Sequence, residues 1–237
     1  MLAFLGDIKM TASVQQPVLP ALEQWSNVDN DGFFNAWRWN RYKAYLERTG
    51  LESGCDIDAI WPQIKDAKSI LDIGSGFGRV IEHLRARGYK GHITAIEKCS
   101  HMVDFLKKRW SHDAKVQIIH GDILKVIPMQ KFDVGLWMWS GIADFNPIEQ
   151  TKLIQQFGRS CGALVVDVAC HITHPIGTIL SNNTYQHRMA DTILCGYLPT
   201  RLDMEFYCRK SKFVELMNKQ YFTAGKIDRV MHQLRVV

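Results

Sequence analysis

Three glycines, Gly74, Gly76 and Gly78, stand at alternate positions in SILDIGSGFGRV (69–80), just after a short apolar run that carries an acid, Asp72. Glycine has no Cβ, so the main chain at Gly74 and Gly76 can come close to a ligand. The N terminus of a following helix favours an anion or a polar group. A dinucleotide, a phosphate and a methyl donor are the candidates. The dinucleotide fingerprint G-x-G-x-x-G needs its third glycine at position 79, which is Arg79, and no Gly-Lys-Ser/Thr follows for a P-loop. Spacing therefore weakens both phosphate readings.

A loop of this kind has to be positioned by a strand before it and a helix after it. SILDI reads as a buried strand, and FGRVIEHLRARG as an amphipathic helix with Val80, Ile81 and Leu84 inward and Gly88 as its C-terminal cap. HITAIE, KVQIIH, FDVGLWMW and ALVVDVAC are further strands. Between them lie a helix expected to be capped by Ser100, burying Met102, Val103, Phe105 and Leu106, and one that starts at Asn146, Pro147 and Glu149. Such alternation predicts an α/β fold, a Rossmann-like doubly wound sheet of mostly parallel strands with helices on both faces. SKFVELMNKQYF, TAGK and IDRVMHQLRVV form a closing hairpin, which adds an antiparallel last strand. Upstream, residues 1–26 read as a loose arm. Phe34, Trp37, Arg41 and Tyr45 lie at helical spacing before Gly50, predicting a helix over 33–48. We expect a helical arm or lid over 1–60 and a ligand-binding domain over 61–237.

The 237 residues suit one compact domain with an extension, and 46% hydrophobic with 22% charged residues is the balance of a soluble globular protein. No run approaches the ~20 apolar residues a membrane helix requires; the richest, GALVVDVAC, has strand length. MLAFLGDIKM breaks at Asp7, so no signal peptide is expected. Six scattered cysteines without a CxxC pair argue against a zinc ribbon or redox motif and point to a reduced, cytoplasmic setting. The net charge of +5 is spread along the chain, which argues against nucleic acid as partner.

Asp72, Gly74, Gly76 and Gly78 match the first motif of the class I S-adenosylmethionine-dependent methyltransferases, an acid, one residue, then G-x-G-x-G, and Ser75 lies within it. The sequence resembles that family from about residue 65 to its C terminus. The resemblance implies a seven-stranded sheet with a reversed last strand and S-adenosyl-L-methionine as cofactor. It implies that Glu97, ending the second strand, holds both ribose hydroxyls, and that Met102 packs on adenine. Asp122 would read the adenine amino group, with Ile123 beside it in GDI (121–123). GYLPT (196–200) is similar to the family's approach to its final helix, expected over about 201–211.

Other groups are weighed against this frame. NVDNDG (27–32) has the start of a calcium loop but Arg38 where the closing Glu belongs, so it is read as a turn. His171 and His174 near Asp167 and Cys170 do not make a ligand set, and no metal is expected. Trp137 and Trp139 alternate on the fourth strand and should share a face; Trp137 packs in the core while Trp139 reaches the pocket, where its ring attracts a cation. Trp37 would cover the pocket, and Arg41 would pair with the methionyl carboxylate of the cofactor. Asp144 in SGIADF (140–145), His171 and Tyr185 are the candidates for taking a proton from the acceptor.

The expected reaction is in-line methyl transfer to a small molecule. About thirty residues between the fifth strand and the last helix are enough for an extra hairpin over the pocket. The family's Asn-Pro-Pro-Tyr signature for nucleobase or glutamine amino groups is replaced by WSGI. A protein or RNA methyltransferase docking through the basic N-terminal helix, and a non-catalytic binding module, are the alternatives.

Overall fold

A computed structural model of the chain describes residues 30–126, 128–170, 178–179, 183–189 and 192–237. Strands β1 (Ser69–Ile73), β2 (His92–Glu97), β3 (Val116–His120), β4 (Phe132–Trp137) and β5 (Cys161–Ala169) run parallel. Helices α4 (Arg79–Ala86), α5 (Ser100–Trp110) and α6 (Pro147–Ser160) connect them, after α1 (Asn30–Asn35), α2 (Trp39–Thr49) and α3 (Cys55–Ile64). Three short strands follow: β6 (Thr178–Ile179), β7 (Thr184–Met189) and β8 (Thr192–Tyr197). Then come α7 (Arg201–Lys210) and the hairpin β9 (Phe213–Phe222) and β10 (Asp228–Val236).

The main sheet has seven strands in the order β3-β2-β1-β4-β5-β10-β9, and β10 pairs antiparallel with both of its neighbours. This is the expected Rossmann-like sheet with a reversed last strand. Alternation along β1 divides the core: Leu71 and Ile73 join the cluster on one face with Phe157 and Tyr207, and Ile70 joins the other with Ile57, Val80 and Leu84. Asp72 shares the face of Ile70. The α3 helix crosses the expected boundary at residue 60, yet Ile57, Ile60 and Ile64 all belong to that second cluster. Strand order reverses between β1 and β4, so their carboxyl ends open on a crevice.

Four local expectations need correction. The single helix over 33–48 is two helices, broken where Arg38 takes an extended conformation (φ −127°). Phe33 packs with Leu194, whereas Trp39 and Tyr42 lie against the cluster of Phe77, Cys99 and Met102, and the turn lets both contacts form. Ser100 does not cap α5: the N-cap is Cys99, and Glu97 Oε1 accepts from the main-chain N–H of Lys98 and Cys99, each at 2.8 Å. The fourth strand stops at Trp137, and Trp139 turns off it with φ +54°. The insert before α7 is an antiparallel sheet of three strands, where two were expected.

Among the described residues no helix is long and apolar enough to cross a membrane. All six cysteines are free thiols. Residues 1–29, which include the expected arm and the first half of NVDNDG, lie outside the described residues, as do His171 and His174.

Candidate active site

A cavity of about 580 Å³ lies at the carboxyl ends of β1, β2 and β4. The turn after β1 forms its floor. Gly74 and Gly76 have positive φ (+69° and +55°), and a Cβ on either would meet nothing within 4 Å. The loop is tied to the end of β2: Gly74 N–H and Ser75 N–H donate to Ile96 O (3.0 and 3.1 Å), and Gly76 N–H donates to Glu97 Oε2 (2.8 Å). Gly78 has a different task. A Cβ there would sit 2.6 Å from Leu106 Cδ2 and 3.2 Å from Trp110 Nε1, so it lets α4 pack on α5 and does not line the cavity.

This division predicts separable effects. Gly78→Ala should lower stability by about 1–3 kcal/mol through overpacking and strain, read as a shifted denaturant midpoint. Gly74→Ala should cost only about 1–2 kcal/mol for its positive φ, while its methyl group projects into open space where a ligand would lie, so ligand affinity falls more than stability. Equal loss of affinity in both variants would contradict the assignment.

Asp72, 1% exposed, lines the cavity, and no protein donor among the described residues reaches its Oδ2. Burial pushes its carboxyl up to about 7; the charges of Glu97 and Asp56 add to that, while Ser75 and Arg79 oppose it. An orphaned buried acid is costly unless a ligand completes it. Trp37 Nε1 is a second buried atom without a partner among the described residues, on another lining residue. An acceptor and a donor left open in one cavity match the ammonium and carboxylate of an amino acid.

Glu97, 7% exposed, is held by three main-chain N–H groups, so its orientation is set before any ligand arrives. Its two oxygens have about four lone pairs, and three bonds leave capacity for a hydroxyl. Met102 and Ile123 line the same wall. Asp122 accepts from Leu124 N–H (3.0 Å) through Oδ1, and its Oδ2 lies 3.5 Å from Lys98 Nζ, which also pairs with Asp31 at 2.6 Å.

Two buried ion pairs support the cavity, and neither was recognised in the sequence. Arg79 is bidentate to Asp56 (2.9 and 2.6 Å), and Asp56 keeps its guanidinium protonated against a burial that disfavours charge. Arg229, 1% exposed, donates to Asp167 through Nε and Nη2, and its Nη2 also donates to Ser140 Oγ (2.9 Å). Its guanidinium carbon lies 3.9 Å from the centroid of Trp139. Asp167 also accepts from Trp139 N–H (2.8 Å) and Tyr221 Oη (3.0 Å). Trp139 lines the cavity with one face already taken by Arg229, and its Nε1 donates to Tyr45 Oη. An acid inside the apolar run ALVVDVAC was the available signal for a buried cation, but its partner stands 62 residues away.

The remaining sites divide clearly. Trp37 lines the cavity, with its ring 5.2 Å from that of Tyr45. Arg41 does not: it is exposed, 5.8 Å over Trp37, outside the lining. Trp137 packs against Phe145 and Phe157 in the core. Asp144 closes the 3₁₀ turn Gly141–Asp144 and faces the cavity; burial first, and the charge of Glu97 second, raise its carboxyl to about 8. Tyr185 is placed on β7 opposite Gly196, with its side chain outside what is described.

Above the site, Asn30 was also missed. Its Nδ2 donates to Asp144 O (3.2 Å) and Cys195 O (3.0 Å), and its Oδ1 accepts from Cys195 N–H (3.0 Å). One amide thus fastens α1 to β8 and to the 3₁₀ turn.

Residues 70–162 match the family model of the methyltransferase domain. A segment of 64 residues is 39% identical to the probable ribosomal RNA small subunit methyltransferase A of Thermococcus sibiricus, covering 27% of this chain and 22% of that protein. The chain thus spans less than a quarter of the length of that relative. An S-adenosylmethionine-dependent methyltransferase from Clostridium acetobutylicum has the same fold, with a TM-score of 0.63 at 12% identity over 84% of this chain and 98% of that one. So has the Burkholderia thailandensis 1,6-didemethyltoxoflavin-N1-methyltransferase, with a TM-score of 0.64 at 14% identity over 94% and 93%. Residues 70–162 thus match a methyltransferase domain, and they are laid out on a fold shared with S-adenosylmethionine-dependent methyltransferases.

Proposed function

We propose that this chain transfers the methyl group of S-adenosyl-L-methionine to a small-molecule acceptor. The observation that carries the cofactor assignment is the buried, unpartnered Asp72 Oδ2 beside a glycine loop that leaves open space over its main chain. Asp72 would hold the methionyl ammonium, Trp37 Nε1 its carboxylate, Glu97 the ribose, and Asp122 with Met102 and Ile123 the adenine. When bound, the cofactor supplies an electrophilic methyl group on a good leaving group. The chain's contribution is then mainly alignment, which is worth up to ~7–11 kcal/mol of barrier.

The small-molecule reading is supported by enclosure. The α1 helix, with Asn30 fastened to β8 and Phe33 packed on Leu194, closes over a cavity whose volume lies in the range that takes small ligands. We read the helices before α3 as this cover. A ribosomal RNA target, by analogy with the Thermococcus protein, is the second reading. The local sequence match favours it; the covered cavity and the WSGI turn at the end of β4 count against it.

Calorimetry with S-adenosylhomocysteine, then turnover of labelled donor with a small-metabolite pool or with RNA, tests both levels. No binding overturns the cofactor assignment, and label in RNA overturns the small-molecule reading. Affinity should also depend on pH. The ligand ammonium needs Asp72 ionised, so binding releases a proton below about pH 7 and weakens up to ~10-fold per unit of further acidification. Above the α-amino pKa of ~7.7–8.0 the ligand loses its own charge, which places the optimum between the two. A flat profile from pH 5.5 to 8 would count against Asp72 as the ammonium's partner.

A further inference from the structure

We propose that the acceptor is a basic amine, a cation at neutral pH, and that Asp144 is the group that binds it and takes its proton. The inference rests on the methyltransferase reading above and names its substrate class.

The first ground is the charge balance of the cavity wall. Among the described residues three cations line it, Arg79, Arg229 and Lys98, and each already has a carboxylate partner: Asp56, Asp167, and Asp31 with Asp122. An anionic acceptor would find no open counter-charge among the described residues. Of the acids on the wall, Asp72 and Glu97 serve the amino acid and ribose ends of the cofactor, and Glu149 is used in the capping box of α6. Asp144 remains. No hydrogen bond or ion pair from the described residues engages its carboxyl group, although Asn30 pins its main chain.

The second ground is the surroundings of Asp144. Phe33, Phe34, Trp37 and Phe145 line the same cavity, and an ammonium that meets the face of such a ring is attracted to it. An ammonium would also have to lie near a positively charged sulfonium. A carboxylate on the acceptor side offsets that repulsion; a neutral alcohol would not need it. The raised carboxyl of Asp144 agrees with a group waiting for a cation, since an arriving ammonium restores its charge.

The step balances. The ammonium gives one proton to the Asp144 carboxylate, and the freed nitrogen lone pair attacks the methyl carbon. The N–C bond forms as the C–S bond breaks, and its electron pair returns to sulfur as a neutral thioether. The product leaves as a methylated ammonium, and Asp144 passes its proton to solvent. Total charge is +1 on both sides.

The test uses three ligands of one skeleton, phenethylamine, 2-phenylethanol and phenylacetate, titrated into the full chain loaded with S-adenosylhomocysteine. The amine should bind at least tenfold more tightly than the alcohol, and the carboxylate more weakly than either. Asp144→Asn, isosteric with the neutral acid, should abolish the amine's advantage while S-adenosylhomocysteine affinity changes less than threefold, which also reports that the variant is folded. In wild-type protein, label from the donor incubated with a small-metabolite extract should appear in the cationic fraction. An alcohol or carboxylate that binds as well as the amine, an advantage that survives Asp144→Asn, or label in neutral, anionic or RNA fractions would overturn the proposal. Failure of wild-type protein to bind S-adenosylhomocysteine would instead remove the reading beneath it.

Discussion

Asp167→Ala is expected to destabilise this protein by about 3–5 kcal/mol, because it strands a guanidinium that has almost no access to water. Arg229 is 1% exposed and its side chain loses its bonds to the Asp167 carboxylate, keeping Ser140 Oγ and the main-chain oxygen of residue 167; Trp139 N–H and Tyr221 Oη lose an acceptor as well. At roughly 2–4 °C per kcal/mol for a domain of this size, thermal unfolding should move down by about 6–20 °C. The isolated charge is the cause, so Asp167→Ala combined with Arg229→Met should recover most of the loss. A double variant as unstable as the single one would show that the pair matters through packing alone. The same reasoning extends to the site: Arg229 stacks on Trp139 and donates to Ser140, and Asp167 accepts from the main-chain N–H of both, the two residues of positive φ that follow β4. Loosening the pair should therefore disturb the acceptor side of the cavity before it disturbs the glycine loop.

Glu97→Ala should raise the dissociation constant for S-adenosylhomocysteine at least about 10-fold. A hydrogen bond to a charged acceptor is worth about 1.5–3 kcal/mol, and the capacity that Glu97 has left serves the ribose in the proposed complex. The free protein would also lose the acceptor for Gly76, Lys98 and Cys99, so the turn after β1 and the start of α5 both lose their anchor. Calorimetry reads the affinity, and a thermal melt run alongside separates a lost contact from a disordered loop. If affinity holds within threefold, the ribose is gripped elsewhere and the assignment of Glu97 fails. Glu97 also helps raise the carboxyls of Asp72 and Asp144, so its removal should shift the pH optimum of binding to lower pH.

The amino-acid sequence by itself determined the strands, the helices that connect them, and the turn at which a ligand would lie. Those features are local: an apolar run of strand length, a glycine that tolerates positive φ, an Asn-Pro-x-Glu helix start. Each is decided within a few residues, and β1 to β5, α6 and the closing hairpin were all legible for that reason. Asp144 could be placed beside the site because a loop after a strand of known direction falls at a known end of the sheet.

Only the tertiary structure decided which charges meet. Asp167 and Arg229, Asp56 and Arg79, and Asn30 and Cys195 are joined across 62, 23 and 165 positions, and no periodicity couples such pairs. The same holds for Trp139. Alternation places it on a face of β4, but the bond from its main chain to Asp167 and the stacking of Arg229 come from β5 and β10, and they hold it out of the ladder. Local sequence sets backbone preference, whereas partners are chosen by burial, which makes an unpaired charge too costly to leave alone.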